Sequence, residues 1–397
     1  MREAYIVASV RTPGGRAKRG GLKDTRADVL ARTAVKGALA KVPNLDPKMI
    51  DDLVFGCSFP EAEQGLNIGR VIAKHAGLPD DVPGFVVNRF CSSGLQAIAL
   101  AAQNIMCGWN DIVLAGGLEA MSRVPMGGFI NRPDPEWTDS YPDVYMSMGS
   151  TAENVAKRYN ISREDQDKMA VESNRRAYEA QQQGFFKEEL VPVTEAVAYK
   201  IKDGQRIKTH YTFDADDGVR WPTTMEGLAK LRPAFWKNGV VTAGNSSQTT
   251  DGAAATILMS KEKCDELGLK PIAKFVNFQV AGCKADEMGV GPAYAIPRVL
   301  KKAGLTIDQI DYFEINEAFA SQAIYSCRKL GIEERYWKGD VNGCGGAIAL
   351  GHPLGCTGAK LTATVIHQMR RRGGKRGIVS MCIGGGMGAA GIIELVD

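Results

Sequence analysis

The chain repeats one order of helix and strand signals at two places about 260 residues apart. Residues 38–55 and 298–315 each read as a helical segment, a short turn and an extended apolar strand. At an offset of 265, residues 91–117 and 356–382 each begin with a cysteine and small residues, continue as a helix, and end in an apolar strand next to a glycine turn. Two matches in the same order predict a duplicated α/β unit, in which helices cover mostly parallel sheets.

A region of different character separates the two copies. It contains several prolines, methionines and turn-rich stretches, and one clear helix that Ser162 opens as an N-cap. We therefore predict three units: an N-terminal half of residues 1–119 plus 246–268, an inserted loop domain of residues 120–245 that covers the substrate, and a C-terminal half of residues 269–397.

Composition restricts the classes of partner. The 49 Lys and Arg residues nearly balance the 45 Asp and Glu residues, so charge does not favour a nucleic acid or a membrane surface. Neither a cleavable signal pattern nor an 18-residue uncharged apolar run is found, so we expect no membrane insertion. The nine cysteines form no CxxC pattern, which predicts free thiols in a reducing cytoplasm and no metal site.

Two stretches carry candidate reactive side chains at turns. Cys91 follows an apolar strand and precedes a helix, where exposed amides and the helix dipole are expected to lower a thiol pKa and favour the thiolate. His352 is one of four histidines, and only it lies among glycines and ahead of a helix, which suits an imidazole that transfers protons. Each residue could instead close its turn as a purely structural group.

Two further stretches end apolar strands. Cys382 is followed by Gly384, Gly385 and Gly386, whose backbone N–H groups could form an oxyanion hole. Asn316 could cap the next helix, or position a water or a carbonyl group. Because ligands bind at strand ends in open α/β sheets, two cysteines and one histidine gathered there favour acyl transfer through a thioester.

These stretches make the chain resemble the thiolase family from Met1 to Asp397. The motifs that carry the likeness are NRFCSSG at 88–94, NEAFA at 316–320, GGAIALGHPLGCTGA at 345–359 and CIGGGMGAA at 382–390. The resemblance implies a thiolase-like fold of two duplicated βαβ-rich halves in a five-layered αβαβα core. It also implies cleavage of 3-ketoacyl-CoA by CoA into acetyl-CoA and a shortened acyl-CoA, or the reverse Claisen condensation, with coenzyme A as a substrate and no cofactor.

The resemblance also implies a role for each matching residue. Cys91 corresponds to the acyl-accepting nucleophile, His352 to the imidazole that activates it, and Cys382 to the general acid and base. Asn316 corresponds to the residue that holds a water in an oxyanion site shared with His352, and the N–H groups of Cys91 and Gly384 to a second oxyanion hole. The positions implied around CoA are Arg220, Ser247 and Gly244, and those implied along the acyl chain are Met148, Met288 and Phe319.

Within the family, the chain is most similar to the bacterial 3-ketoacyl-CoA thiolases of fatty-acid β-oxidation. Ser147-Met148-Gly149 and Cys356-Thr357-Gly358 stand where biosynthetic acetoacetyl-CoA thiolases usually read His-Met-Gly and Ala-Ser-Gly. A biosynthetic acetyl-CoA C-acetyltransferase remains the nearest alternative, followed by a ketoacyl synthase and a non-catalytic thiolase-like protein. We expect acyl-CoA and CoA as ligands and a homodimer or homotetramer as the assembly.

Overall fold

The structure, a computed structural model, describes residues 2–396. Its main element is a ten-stranded sheet, and a separate two-stranded hairpin lies in the insertion. The strands are β1 (Ala4–Arg11), β2 (Gly15–Arg16), β3 (Asp52–Gly56), β4 (Phe85–Val87), β5 (Ile112–Ala120), β6 (Val193–Lys202), β7 (Gln205–Phe213), β8 (Thr250–Ser260), β9 (Ala273–Gly282), β10 (Tyr312–Ile315), β11 (Arg376–Ile383) and β12 (Met387–Leu395). The helices are α1 (Ala27–Ala40), α2 (Ile68–His75), α3 (Ser93–Met106), α4 (Pro135–Ser140), α5 (Met148–Arg158), α6 (Arg163–Gln182), α7 (Met225–Ala229), α8 (Lys261–Glu266), α9 (Gly291–Ala303), α10 (Ala320–Leu330), α11 (Glu333–Lys338), α12 (Ala347–Leu350) and α13 (Leu354–Arg372).

The order of strands in the large sheet confirms the internal duplication. The order is β10-β11-β12-β9-β1-β8-β5-β3-β4, with β2 attached to β8. Reading outwards from the centre, β1, β8, β5 and β3 on one side correspond to β9, β12, β11 and β10 on the other. The two halves join where β1 pairs antiparallel with β9, so the duplicated sheets form one continuous sheet in this chain.

Helices between and outside the two halves of the sheet produce the five layers. The middle layer consists of α3 and α13, which are buried over most of their surface. They approach closely because Gly94 has no side chain: a Cβ there would lie 2.8 Å from the Gly355 carbonyl oxygen. The outer layers include α1, whose buried residues repeat at helical spacing along one face, and α9 on the opposite side. The αβαβα arrangement is therefore confirmed.

The expectation of mostly parallel sheets is wrong. Among the strands of residues 2–396, only the pairs β3–β4, β3–β5 and β10–β11 are parallel. A three-residue turn joins β11 to β12, and such a short connection permits only an antiparallel pair. Gly385 and Gly386 make this turn possible, because their φ angles of +79° and +87° are left-handed. The returning strand β8 likewise runs antiparallel to β1 and β5.

The insertion contains α4 to α7 and the β6–β7 hairpin, and α5 and α6 attach it to the C-terminal half. The Ser162 hydroxyl accepts a hydrogen bond from the Asp165 N–H at 3.0 Å, which confirms the helix start expected there. The Ser321 hydroxyl of α10 donates to the Ala152 carbonyl of α5 at 3.1 Å. The exact limits of the three units stay a prediction. Across residues 2–396, every helix is too short or too polar to span a bilayer.

Candidate active site

Cys91 lies in one turn of 3-10 helix, Phe90–Ser92, between β4 and α3. The preceding Phe90 has φ of +41°, a left-handed conformation that is strained for a residue with a side chain. Hydrogen bonds with neighbouring side chains hold this turn. The Phe90 N–H donates to the Asn88 side-chain oxygen at 2.8 Å, and the Ser93 hydroxyl donates to the Phe90 carbonyl at 2.7 Å. The strained turn fixes the backbone from which the Cys91 thiol projects.

Burial dominates the acidity of the Cys91 thiol. The backbone N–H groups of Gly384 and of Cys91 itself donate toward the sulfur and favour the thiolate. Desolvation is the larger effect, and with the nearby Glu119 carboxylate it raises the pKa of Cys91 to about 12. The expected lowering of this pKa is therefore wrong for the resting protein. The two N–H groups predicted to form an oxyanion hole do point at one sulfur.

The imidazole of His352 is buried and neutral. Desolvation, together with the positive charge of Lys360, lowers its pKa to about 3. The Thr357 hydroxyl lies 2.6 Å from Nδ1 and donates its own hydrogen to the Pro353 carbonyl at 3.3 Å. Nδ1 therefore carries the proton, and Nε2 keeps a lone pair that faces the Asn316 amide nitrogen at 3.3 Å. In this tautomer Nε2 carries no hydrogen, so it is the ring nitrogen that can accept a proton.

Asn316 connects the ends of two neighbouring strands. Its backbone N–H donates to the Ser380 carbonyl at 2.9 Å, two residues before Cys382. Its side-chain oxygen is buried and accepts no hydrogen bond from residues 2–396. An amide held in this way has an acceptor available for a water or a substrate group, beside a donor that already faces His352.

Cys382 belongs to a small cluster of buried apolar side chains. The thiol is fully buried, and desolvation, with Cys91 as the next cause, raises its pKa well above the ordinary value. Met288 and Phe319 belong to the same apolar cluster as Cys382, and Met148 packs against it. The structure thus brings the three predicted acyl-chain residues to the cysteine predicted to move protons.

Two of the residues predicted around CoA lie on the segment that precedes β8. The Ser247 N–H donates to the Ala318 carbonyl at 2.9 Å, which places Ser247 beside the NEAFA motif. Gly244 is buried, and a Cβ there would lie 2.6 Å from the side chains of Leu228 and Leu231. Gly244 therefore lets the insertion pack closely over the strand that leads into the site.

Arg220 is exposed, on the loop that follows β7. The Gln248 side-chain amide donates to the Gly218 carbonyl at 2.8 Å, which ties the Arg220 loop to the segment that precedes β8. Burial, and then the charges of Arg16 and Arg19, lower the pKa of Arg220. The three arginines are thus near enough to affect one another, and the Asp217 carboxylate beside them accepts a hydrogen bond from the Arg16 backbone N–H at 2.6 Å. The sequence analysis named Arg220 but not its neighbours Arg16 and Arg19, and a role for Arg220 at CoA stays a prediction.

Two other residues were missed. Thr357 stands in a quoted motif, five residues after His352, and a hydroxyl at that spacing was a signal that could have been read. The buried Glu119 accepts hydrogen bonds from the Ser58 and Gly355 N–H groups at 2.8 and 2.9 Å, which joins the two copies. No local pattern marks that contact. Among the described residues, no cluster of potential ligands could hold a metal ion.

Comparison with known proteins agrees with this geometry. The thiolase N-terminal domain model matches residues 4–262, and the thiolase C-terminal domain model matches residues 269–395. The chain is 54% identical over 395 residues to a 3-ketoacyl-CoA thiolase of Bacillus subtilis, with 100% of both chains covered.

Two solved structures share the fold over the whole chain. Human mitochondrial 3-ketoacyl-CoA thiolase in complex with CoA superimposes with a TM-score of 0.87 at 38% identity, covering 100% of this chain and 98% of that one. The dimeric peroxisomal thiolase of Saccharomyces cerevisiae gives a TM-score of 0.88 at 38% identity, with the same coverage. The chain therefore belongs to the thiolase family.

Proposed function

We propose that this chain cleaves 3-ketoacyl-CoA with CoA, giving acetyl-CoA and an acyl-CoA shortened by two carbons, through an acyl thioester on Cys91. The observation that carries the proposal is the grouping of two buried thiols, Cys91 and Cys382, with the Gly384 N–H directed at the first sulfur. A neutral imidazole with a bare Nε2 completes the set of groups that this chemistry requires.

The first step forms a bond between the Cys91 sulfur and the 3-keto carbon. The thiol proton passes to Nε2 of His352, and the keto oxygen becomes an oxyanion. The N–H groups of Cys91 and Gly384 stabilise that oxyanion, and one such donor contributes about 3 kcal/mol. The thiolate therefore need exist only as the substrate is attacked, which is compatible with a resting thiol of raised pKa.

The second step breaks the carbon–carbon bond. The oxyanion returns to a carbonyl, which leaves an acyl thioester on Cys91 and the enolate of acetyl-CoA. The imidazolium of His352, and a group bound to Asn316, stabilise the enolate oxygen, while the Cys382 thiol protonates the enolate carbon. A thioester is a reactive intermediate, so one difficult displacement becomes two easier ones.

The third step restores both cysteines. The thiol of the incoming CoA gives its proton to Cys382 and attacks the acyl carbon. The Cys91 sulfur leaves as a thiolate and takes its proton back from His352. All protons and bonds balance without a metal or a redox cofactor.

The 54% identity to a 3-ketoacyl-CoA thiolase over the whole chain supports a degradative enzyme of β-oxidation over a biosynthetic one. The test measures kcat/KM for thiolysis across a series of 3-ketoacyl-CoA chain lengths, by loss of substrate absorbance. We expect turnover of a 3-keto-C8 substrate at least equal to that of acetoacetyl-CoA. Turnover confined to acetoacetyl-CoA would instead support the biosynthetic alternative, and no thiolysis of any substrate would refute the proposal.

The resting protein should contain a thiol and a neutral imidazole rather than a thiolate–imidazolium pair. The pKa of Cys91 is about 12 and that of His352 about 3. Alkylation of Cys91 by iodoacetamide should therefore keep accelerating from about pH 6 to about pH 9, because the thiolate fraction still rises there. Mass spectrometry of the Cys91 peptide gives the rate, and a plateau over this range would show an ion pair instead.

Arg220 is expected to bind a phosphate group of CoA. Replacing it with alanine should raise KM for CoA about fivefold and leave kcat unchanged, because an exposed ion pair contributes about 1 kcal/mol at most and acts equally in ground and transition states. Steady-state kinetics with varied CoA measures both constants. Arg298→Ala, an exposed arginine on α9, is the matched control. An unchanged KM in Arg220→Ala would remove this residue from the site.

We further propose a homodimer, or a tetramer built from dimers, in a reducing cytoplasm. Strand β4 ends the sheet with an edge that pairs with no other strand of residues 2–396, and Phe85 on it is exposed. Such an edge suits pairing with a second copy. All nine cysteines are free thiols, as a reducing compartment requires. Light scattering coupled to size-exclusion chromatography tests the assembly, and a monomer would contradict it.

A further inference from the structure

Lys360 is a buried lysine whose ammonium group reaches the catalytic loop. It lies on α13, and only 5% of its surface is exposed. Its Nζ donates to the Leu350 carbonyl at 2.9 Å and to the Gly351 carbonyl at 3.0 Å. Both carbonyls come directly before His352. A buried charge is costly unless it is hydrogen-bonded and compensated, so these contacts require an explanation.

The two carbonyls belong to the end of the one-turn helix α12. Carbonyls at a helix C-terminus lack partners within the helix, and a cation there is favourable. The Gln248 side-chain amide binds the Ile348 and Ala349 carbonyls at 2.9 and 3.1 Å, and Lys360 binds the next two. The His352 N–H in turn donates to the Gln248 carbonyl at 2.9 Å. The side chains of Gln248 and Lys360 thus hold the four consecutive carbonyls of residues 348–351, and the Gln248 carbonyl holds the N–H that follows them.

A buried cluster of charged side chains compensates the positive charge of Lys360. Arg11 forms ion pairs with Glu189 at 2.5 Å and Asp216 at 2.8 Å, and both carboxylates also favour the charged lysine. Burial raises the pKa of Glu314 well above its ordinary value, and the cations Arg11 and Lys360 face the carboxylates of Glu189 and Asp216. Desolvation still lowers the pKa of Lys360 to about 8. The titratable groups that face Lys360 are Arg11, Glu189, Asp216, Glu314, His352 and Cys356.

We propose that Lys360 is a positioning residue: its ammonium group fixes the peptides of Leu350 and Gly351, and thereby orients the His352 imidazole. The inference rests on the proposed role of His352 as the proton acceptor of Cys91. Lys360 itself touches no reacting atom. Its contribution is to hold the base in the geometry that acylation requires, and its charge adds to the desolvation that lowers the pKa of the imidazole.

The experiment compares Lys360→Met with Lys360→Arg, and with Arg370→Met as an exposed control on the same helix. We expect Lys360→Met to lower kcat about 10- to 100-fold, since a small displacement of a catalytic group has effects of this size, while KM for CoA stays within about twofold. Without the positive charge the pKa of His352 rises, so the acid limb of the kcat/KM profile should move to higher pH. Lys360→Arg should restore most of kcat and the original limb.

Several results would overturn the inference. One is a folded Lys360→Met variant with wild-type kcat and pH profile. Another is a variant that loses kcat with an unmoved acid limb and no rescue by arginine, which would indicate packing alone. If Lys360→Met does not fold, as judged by circular dichroism, Lys360→Gln is measured in its place and decides by the same criteria.

The inference and the proposed function can fail separately. Alkylation of Cys91 by iodoacetamide needs no CoA, and its rate at a fixed pH reports how well His352 assists the thiol. A change in the rate or the pH dependence of alkylation in the uncharged variant, absent from Arg370→Met, supports the role of Lys360 even if no 3-ketoacyl-CoA is cleaved. Unchanged alkylation contradicts that role even if cleavage is observed.

Discussion

Replacing Cys91 with alanine should reduce thiolysis of 3-ketoacyl-CoA by about four to six orders of magnitude, as loss of a nucleophile does in other covalent enzymes. The reason is that no other thiol shares its position. Cys91 alone combines the strained turn after Phe90 with the Gly384 N–H directed at its sulfur. The variant should still fold, since alanine fills most of the space of a thiol in this small-residue turn.

Cys356 provides the matched control, because it is the counterpart of Cys91 in the second copy. It is buried, and desolvation raises its pKa to about 12. Cys356→Ala should keep activity within a few-fold of the wild type. Brief exposure of the wild-type protein to acyl-CoA without free CoA should leave one thioester, which mass spectrometry locates. An adduct on the Cys356 or Cys382 peptide would contradict the assignment of Cys91.

The sequence was informative where the chemistry is local. Cys91, His352, Asn316 and Cys382 each stand at the end of a strand or at a turn, and the composition of the turn distinguishes them from other residues of their type. The same is true of the helix that Ser162 opens, since capping depends on residues three apart. Features set by nearest neighbours along the chain could therefore be predicted.

Features set by distant contacts could not. The antiparallel return of β8 follows an insertion of over one hundred residues, so no local pattern specifies its direction. Helix position favoured a low pKa for Cys91, but burial between the two copies outweighs it. The bonds from Gln248 to the α12 carbonyls depend on packing of the second copy against the first, and those from Lys360 depend on how α13 folds back against α12. Only the assembled fold reveals how His352 is held.

A Cys382→Ser variant should separate the two chemical stages that the two cysteines are proposed to perform. Serine keeps a small polar group of similar shape, but a hydroxyl is far less acidic than a thiol and is a poorer proton donor and acceptor near neutral pH. Transfer of an acyl group from a simple acyl-CoA to Cys91 breaks no carbon–carbon bond, and its rate should stay within about tenfold of the wild type. Cleavage of a 3-ketoacyl-CoA must protonate an enolate carbon, and its rate should fall by about two to four orders of magnitude.

The measurement follows both half-reactions on the same purified protein. Rapid-quench mass spectrometry gives the rate of acyl-Cys91 formation from acyl-CoA, and absorbance gives the rate of 3-ketoacyl-CoA cleavage. Cys283→Ser is the control, because this partly buried thiol lies close enough to Cys382 to affect its pKa but has no proposed proton to transfer. If acylation in Cys382→Ser falls as far as cleavage does, the division of roles is wrong. Cys382 would then act with His352 in activating Cys91, and the donor to the enolate carbon would have to be a group other than this thiol.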